Sequence, residues 1–355
     1  MTSTKSIERI VLWTPDPELT GGVQQYSRCI IEGLKSIVEI HVVPLKSTGP
    51  LAKLSFVLRA LVSFIQHRPD VIWCTHLHLA RVSLFFRFLN PTIWISLHGI
   101  DCWEITRPQD IHSLKRAKRL LCVSHYTLDR VAKKHPDVKD RLQWLPNHLA
   151  EIPEQSIGRS NARQQLNLSS GALVLLTVSR LSAEEQYKGH REVLHAMPDL
   201  LSEFPYLHYL VVGSGDDLKA LQRLSRDLAI EEQVTFTGRL PDNELNLAYA
   251  AADLFVLPGK GEGFGIVLLD ALVRGIPVLA STEDGSRDAV LDGELGDLAN
   301  PNQQDSISDT LQRILQSIHS GQYPQSAETL RRKVIQHYGP EARDKRLREL
   351  VKEIR

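Results

Sequence analysis

Two carboxylates, Glu262 and Asp270, stand eight residues apart in a stretch that changes from a glycine-rich loop to an apolar helical pattern. Glycines let a backbone approach a ligand and direct its N–H groups toward it. The helical pattern is apolar on every side of Asp270. Burial of an unpaired carboxylate is costly, so we expect Asp270 either to face a ligand or to form a structural ion pair with a nearby Lys or Arg.

Two basic residues bracket a loop farther toward the N-terminus. Arg180 follows an apolar strand pattern, and Lys188 stands where the next helix begins. Arg binds phosphate bidentately, whereas Lys acts as a point charge, so the pair suits a diphosphate. The alternative is that both are solvated surface residues.

Gly21 and Gly22 lie between a strand pattern and a helical pattern near the N-terminus. Free N–H groups and the helix dipole favour an anion at such a position. A Gly-Gly pair is also common in turns that bind nothing.

Three histidines follow strand patterns: His76, His78 and His98. In open parallel sheets ligands bind beyond the carboxyl ends of the strands, so we expect these side chains near a ligand. A metal is the alternative for His76-x-His78, although no third ligand stands at helical spacing. For His98 the alternative is a hydrogen bond that stabilises a turn.

The elements that position these residues alternate between strand and helix. Continuously apolar strands separated by helices predict parallel sheets that are covered on both faces. The first series comprises strands 10–14, 39–44, 70–75, 92–97 and 119–123 and helices 23–37, 52–66, 79–89 and 126–135. The second comprises strands 172–178, 207–212, 233–236, 253–257 and 277–280 and helices 189–202, 216–228 and 242–250, with one more helix after Glu262. The polar residues 150–170 predict a linker, and residues 339–355 a charged C-terminal helix.

Length and composition indicate an ordinary two-domain globular protein. The chain has 355 residues, 42% hydrophobic content and no formal net charge, which argues against a nucleic-acid binder. Its four cysteines form no C-x-x-C pair, and no apolar run reaches the length of a membrane span. These features predict a cytoplasmic protein whose contact with the inner face of a membrane, if any, is peripheral.

The segment E-G-F-G-I-V-L-L-D-A-L-V-R-G-I-P-V-L-A-S resembles the E-x7-E region of family 4 retaining glycosyltransferases (glycosyl transferases group 1), although Asp270 replaces the usual second Glu. His98-Gly99, Pro146-Asn147 and the R-x(n)-K-G pair extend the resemblance over nearly the whole chain. It implies the α/β GT-B fold, in which two Rossmann-like parallel-sheet domains face a central cleft. Residues 1–155 would form the acceptor-side domain and 165–338 the nucleotide-sugar domain, with helix 339–355 packing back on the first.

The same resemblance implies a role for each matching residue. The catalytic residues would be Arg180, Lys188, Glu262 and His98. The donor would contact Gly21, Gly22, Gly213, Arg239, Leu240, Gly263, Phe264, Gly265 and Asp270. The implied reaction is the retaining transfer of a hexose from a nucleoside-diphosphate sugar to a glycan acceptor in cell-surface polysaccharide assembly, without a metal or other cofactor.

Three other functional classes remain open. A noncatalytic nucleotide-sugar-binding subunit would tend to lose the sugar-side His and Glu, and both are present here. An NAD-dependent dehydrogenase needs G-x-G-x-x-G, whereas Gly213-Ser214-Gly215 lacks the third glycine. A GT-B epimerase or phosphorylase shares the architecture, and a product assay with and without acceptor distinguishes it.

Charge is distributed unevenly along the chain. Residues 1–165 contain 22 Lys and Arg against 14 Asp and Glu, and Lys115, Arg116, Lys118 and Arg119 form the densest cationic cluster. Such a cluster beside amphipathic helices suits an anionic lipid surface. The first domain of the GT-B fold binds the acceptor, so we expect a lipid-linked glycan acceptor. The alternative is a solvated face beside two ordinary core helices.

Overall fold

The computed structural model describes residues 7–154 and 157–352. It divides into unit 1, residues 1–151 and 336–355, and unit 2, residues 152–335. The domain boundary predicted at residue 155 falls outside the described residues.

Unit 1 is built on six parallel strands in the order β2-β1-β3-β4-β5-β6. The strands are β1 Arg9–Pro15, β2 Glu39–Leu45, β3 Val71–Cys74, β4 Ile93–Leu97, β5 Arg119–Cys122 and β6 Leu142–Trp144. Strands β3 and β4 are buried along their whole length, which explains their continuously apolar sequences. Strand order reverses between β1 and β3, and ligands of open parallel sheets bind at such a switch point.

Helices cover this sheet, and one of them differs from the predicted form. They are α1 Gly22–Leu34, α2 Pro50–His67, α3 Leu77–Ala80, α4 Ile100–Trp103, α5 Pro108–Arg116 and α6 His125–Lys134. The helix predicted for 79–89 is instead the end of α3 followed by a 3-10 helix, Arg81–Leu89. Phe86 leaves helical geometry there, and its buried ring packs edge-on against Trp13 at 6.1 Å. Tertiary packing of this aromatic residue overrides the amphipathic pattern.

Unit 2 has the strand order of a Rossmann fold. Its parallel sheet runs β12-β11-β10-β7-β8-β9, which is 6-5-4-1-2-3 when its strands are numbered from one. The strands are β7 Leu173–Val178, β8 Leu207–Val212, β9 Val234–Gly238, β10 Leu254–Val256, β11 Val278–Ser281 and β12 Asp297–Ala299. The helices are α7 Arg159–Gln165, α8 His190–Glu203, α9 Leu218–Asp227, α10 Asp242–Ala251, α11 Ile266–Leu272, α12 Ser286–Ala289 and α13 Gln304–His319.

The end of the chain belongs to unit 1. Helix α14, Ala327–Tyr338, contains the boundary between the units, and α15, Pro340–Lys352, packs against α1. A Cβ on Gly33 would lie 2.5 Å from the Leu347 side chain, so glycine permits the close approach of α15. Strand β5 is tied to the same helix, because Arg119 donates to the Leu350 carbonyl at 2.9 Å.

Each sheet carries its own hydrophobic core, formed by the strands and the inner faces of the helices. In the described part of the chain, no helix combines the length and hydropathy that a bilayer crossing requires. The predicted α/β class with two Rossmann-like parallel sheets is confirmed.

A buried ion pair ties α7 to the sheet of unit 2. Arg163 and Asp253 are each about 7% exposed in their side chains and form a salt bridge at 2.5 Å. Asp253 also accepts the Val174 N–H at 2.8 Å, and Arg163 donates to the Ser170 carbonyl at 2.8 Å. Arg159 reaches the same carboxylate from the surface, with 57% of its side chain exposed.

We expect Arg163→Ala to destabilise the protein strongly, because it leaves the Asp253 carboxylate buried without its main partner. Loss of one member of a buried pair typically costs about 3–5 kcal/mol. Arg159→Ala is the matched control and should cost about 1 kcal/mol or less, because the Arg159 side chain is largely exposed and Arg163 still pairs with Asp253. Urea unfolding followed by far-UV circular dichroism measures both. Equal effects of the two substitutions would contradict this assignment.

Candidate active site

The candidate site of unit 2 lies at the switch point of its sheet, where β7 and β10 are neighbours. Arg180 comes two residues after β7, and the loop that carries Glu262 follows β10. The carboxyl ends of both strands lie at the same edge of the parallel sheet. The structure thus brings together two segments that are about 80 residues apart in the sequence.

Carboxylates of the same unit accompany both basic side chains of this site. Lys188 forms a salt bridge with Glu262, and the two side chains are 16% and 15% exposed. Burial alone would lower the pKa of Lys188, but the Glu262 carboxylate, together with Tyr187 and Glu185, outweighs burial and raises it. Arg180 is 79% exposed and pairs with Glu185.

Asp284 holds the backbone of Glu262 in place, and sequence reasoning missed it. Its Oδ2 accepts the Glu262 N–H at 2.9 Å, and its Oδ1 accepts the Ser286 N–H at 2.9 Å. Gly285 donates its N–H to the Glu262 carbonyl at 2.8 Å. Asp284 is fully buried and follows the apolar strand β11, so the rule that drew attention to strand ends would also have found it.

Gly213 proves to be needed for packing. It has φ +148°, and a Cβ there would lie 1.8 Å from the Ser179 carbonyl oxygen. Gly215 makes a similar approach of 1.9 Å to the Leu181 carbonyl oxygen. The two glycines therefore position the Arg180 loop. Strand β9 ends at Gly238, which accepts the Gly213 N–H at 2.9 Å and precedes the predicted donor contacts, Arg239 and Leu240.

The loop after β10 packs on the segment that contains Lys188. A Cβ on Gly261 would lie 2.3 Å from the ring of Tyr187, whose carbonyl accepts the Lys260 N–H at 2.8 Å. Gly263 is half-buried, and Phe264 is buried. Gly265 has φ +80° and precedes the first residue of α11.

Asp270 lies on α11 with a carboxylate that has no ion-pair partner among the described residues. The nearby Arg274 donates to the backbone carbonyl of Asp270 at 2.7 Å and to the Asn246 side chain. Its guanidinium stacks over Tyr249 at 4.6 Å. Burial raises the pKa of Asp270 to about 6, and Arg274 offsets part of that rise. Among the described residues, Asp270 therefore does not form the structural ion pair with a Lys or Arg that was the alternative to a ligand-facing role.

Unit 1 has polar groups at its own switch point. Gly21, with φ +147°, precedes α1, and Gly22 is the first residue of that helix. After β4, the His98 Nε2 lies 2.7 Å from the Thr75 carbonyl oxygen and must donate to it, which leaves Nδ1 as an acceptor. Burial lowers the pKa of His98 to about 4, so the ring is neutral at pH 7.

His76 and Asp101 lie beside His98 in unit 1. The Nδ1 atom of His76 accepts the His78 N–H at 3.2 Å, and its Nε2 lies 3.9 Å from Asp101 Oδ2. Burial lowers the pKa of His76 to about 3 and raises that of Asp101 to about 7. Across residues 7–154 and 157–352, no three His, Cys, Asp or Glu side chains cluster as a metal site requires.

The predicted cationic cluster does not form one exposed face. Arg119 lies in β5, with its guanidinium over the Trp94 ring at 4.9 Å. Lys115 forms a 3.2 Å salt bridge with Asp137, whereas Lys118 is exposed. Arg116 donates to the Arg87 carbonyl at 3.4 Å.

Comparison with known families agrees with this geometry. Residues 158–330, nearly the whole of unit 2, match the family model described as "Glycosyl transferases group 1". Unit 2 matches this family. The match includes Glu262 and Asp270, the two carboxylates of the segment that resembles the E-x7-E region.

Two relatives act on lipid-linked substrates according to their names. The chain is 31% identical over 236 residues to a GDP-mannose-dependent alpha-(1-6)-phosphatidylinositol monomannoside mannosyltransferase of Mycolicibacterium smegmatis, covering 62% of this chain and 60% of the relative. It is 30% identical over 192 residues to the alpha-monoglucosyldiacylglycerol synthase of Streptococcus pneumoniae, covering 52% and 43%. The chain thus spans about half the length of these relatives.

A solved structure shares the fold over nearly the whole chain. The Anabaena protein HepE, solved in complex with UDP and glucose, superimposes with a TM-score of 0.77. The comparison covers 98% of this chain and 100% of HepE at 18% sequence identity. This likeness, together with the two parallel sheets, confirms the predicted GT-B fold class.

We expect the stability of the ligand-free protein to depend on pH through Asp270. Its pKa is raised in the folded state, so between about pH 4 and pH 6 the folded protein binds more protons than the unfolded chain, and the free energy of unfolding falls as pH rises. Asp270→Asn removes this titration. The variant should gain melting temperature relative to wild type from pH 4 to pH 6 and keep that gain above pH 6.

Differential scanning calorimetry across this pH range tests the prediction, with the exposed Asp309→Asn as the matched control. A melting-temperature difference between Asp270→Asn and wild type that stays constant from pH 4 to pH 8 would argue against a raised pKa.

Proposed function

We propose that this protein is a retaining glycosyltransferase that moves a hexose from a nucleoside-diphosphate sugar to a lipid-linked glycan acceptor in cell-surface polysaccharide assembly. The observation that carries the proposal is the pair of cations, Arg180 and Lys188, at the switch point of a group 1 unit. Opposite them stands the glycine-rich loop with Glu262. The match of unit 2 to this family model and the names of the relatives support the same reaction class.

Arg180 and Lys188 would stabilise the leaving group. Cleavage of the bond between sugar and diphosphate develops negative charge on the phosphate, and fixed cations in a site of low dielectric lower the energy of that state. Lys188 is already buried and charged, so little reorganisation is needed during the reaction. Glu262 would accept hydrogen bonds from hydroxyls of the transferred sugar. Asp284 fixes the backbone of Glu262, so the carboxylate would hold those hydroxyls in a defined orientation.

Asp270 would bind the ribose of the donor. Its carboxylate lacks an internal partner among the described residues, which leaves it able to accept hydroxyl hydrogen bonds. It is one methylene shorter than the Glu usual at this position, so the ribose must come closer or be bridged by water. Gly263, Phe264, Gly265, Gly213, Arg239 and Leu240 complete the proposed donor contacts of unit 2.

Within unit 1, Gly21 and Gly22 are the proposed phosphate-binding residues, and His98 is the proposed sugar-binding residue. The N-terminal turn of α1 offers free N–H groups after Gly21, as an anion site needs. The neutral ring of His98 keeps Nδ1 as an acceptor for a sugar hydroxyl.

We expect Arg180→Ala and Lys188→Ala to lower turnover by orders of magnitude while the protein stays folded, because both side chains act on charge that grows in the transition state. The exposed Lys219→Ala is the matched control and should resemble wild type. A panel of UDP-, GDP- and ADP-sugars tested for thermal stabilisation first identifies the donor, because a ligand of the native state raises the melting temperature. Turnover is then measured with that donor in the presence of EDTA.

Two results would count against the proposal. Unchanged kcat in both cation variants would remove the phosphate assignment. Turnover that EDTA abolishes and Mn²⁺ restores would contradict the proposed metal-independent mechanism.

The proposed membrane contact of unit 1 is supported best by α2. Its buried side chains Phe56, Ala60 and Ser63 face the sheet. Its opposite side exposes large apolar residues at intervals of three or four, namely Leu51, Leu54, Leu58, Val62 and Ile65. We call these five residues the α2 stripe. The 3-10 helix Arg81–Leu89 lies nearby, because Trp13 packs against both Phe56 of α2 and Phe86 of the 3-10 helix. This 3-10 helix also has two exposed apolar side chains, Phe85 and Leu89.

Charge around the α2 stripe favours an anionic surface. Residues 40–100 contain six Lys and Arg but only one acid, Asp70. Each basic side chain near an anionic bilayer contributes about 1 kcal/mol. Helices with an apolar side and basic flanks lie in the interface between lipid headgroups and acyl chains. Because Arg119 is engaged within unit 1, the proposed surface comprises the α2 stripe with Lys46 and Lys53.

We expect the combined variant Leu54→Ser, Leu58→Ser, Val62→Ser to lose most binding to anionic vesicles, because it removes the apolar contact without touching the core. The matched control replaces three exposed apolar residues elsewhere, Leu19, Ile152 and Tyr206, with Ser and should bind like wild type. Sedimentation with phosphatidylglycerol-containing and neutral vesicles measures both. Equal partitioning of wild type and the stripe variant, insensitive to salt, would leave the membrane proposal without support.

A further inference from the structure

Glu185 contacts both of the basic side chains to which we assign the donor phosphates. Its Oε1 accepts from the Arg180 guanidinium, and its Oε2 lies 3.9 Å from Lys188 Nζ. The side chain is 17% exposed, and within the described residues Oε2 has no hydrogen-bond partner. A carboxylate thus lies between the two cations, where an anion shared by them would have to bind.

The charges of this cluster cancel. Arg180 and Lys188 contribute two positive charges, and Glu185 and Glu262 contribute two negative charges. An incoming diphosphate therefore meets a neutral cluster while Glu185 stays in place. Withdrawal of Glu185 alone leaves one positive charge for the ligand.

Of the two carboxylates, Glu185 is the easier one to displace. Its partner Arg180 is 79% exposed, and an ion pair with such an exposed side chain is worth about 1 kcal/mol or less. Glu262 is held more firmly, because its pair with Lys188 is buried and Asp284 anchors its backbone. A diphosphate can therefore take over Arg180 without breaking the buried pair.

We propose that Glu185 is an internal anion that occupies the phosphate position of the ligand-free protein and is displaced by the donor diphosphate. Glu185 lowers the affinity for the donor, because the free energy needed to displace its carboxylate reduces the binding free energy of every nucleoside diphosphate. This inference rests on the proposed function, since it concerns the same phosphate site.

Isothermal titration calorimetry with UDP, GDP and ADP tests the inference. Glu185→Gln keeps the size of the side chain and removes the competing charge. We expect it to bind the preferred nucleoside diphosphate at least about fivefold more tightly than wild type, because one unit of like charge is removed a few ångströms from the phosphate. In the Arg180→Ala background the gain from Glu185→Gln should shrink, because Arg180 is the side chain that becomes free.

Glu184→Gln is the matched control. Glu184 is the neighbouring residue, it is exposed, and no ion pair of its side chain is found in the described part of the chain. The substitution changes the net charge by the same amount but should leave the affinity within about twofold of wild type, because an exposed charge is strongly screened. If Glu185→Gln fails to fold, Glu185→Asp withdraws the carboxylate by one methylene and should give a smaller gain in the same direction.

The outcomes separate this inference from the function on which it rests. Binding by wild type with equal or weaker binding by Glu185→Gln would overturn the role of Glu185 and leave the proposed function intact. Equal gains in Glu184→Gln and Glu185→Gln would also overturn it, because the effect would then be one of net charge. Absence of binding by wild type and every variant would remove the proposed function and this inference together.

Discussion

The buried ion pair between Lys188 and Glu262 is the interaction on which the arrangement of the site depends. Two charges withdrawn from water are stable only when their geometry is good and their remaining hydrogen bonds are satisfied. Three loops meet that requirement together. The segment that contains Tyr187 packs on Gly261, the loop after β10 carries Glu262, and Asp284 after β11 binds the Glu262 backbone. Because the charges of Lys188 and Glu262 compensate each other, both side chains can be buried at the edge of the sheet in the ligand-free protein.

Much of this arrangement could be predicted from the sequence, because parallel strands buried on both faces leave a strong signal. Strand β8 occupies the residues predicted for it, and most boundaries of the other predicted strands differ by one or two positions, whereas the short edge strands β6 and β12 are not predicted. Arg180 and Lys188 are predicted from their positions at the two ends of a strand-to-helix loop, and the structure brings Lys188 to Glu262.

What could not be predicted depends on side-chain and backbone contacts that no local sequence pattern reveals. Gly213 resembled part of a nucleotide-binding motif, but its closest neighbour is a backbone carbonyl that no local pattern reveals. Glu185 looks like one of several solvated acids in a polar segment until Arg180 and Lys188 are seen on either side of it. The amphipathic pattern of 79–89 predicts an α-helix, but the packing of Phe86 against Trp13 gives a 3-10 helix. For Gly213 and Phe86 the deciding partner is remote in sequence, whereas the contacts of Glu185 depend on how its own loop folds.

The return of α15 to unit 1 has a consequence for the order in which the protein folds during synthesis. Unit 1 consists of two segments separated by the whole of unit 2. The side of α1 at Gly33 lacks its cover until Leu347 has been made, and Arg119 lacks its acceptor on Leu350 until then. Unit 2 is continuous in sequence and needs no later segment. On the ribosome, therefore, the unit that emerges second is the first that can complete its fold.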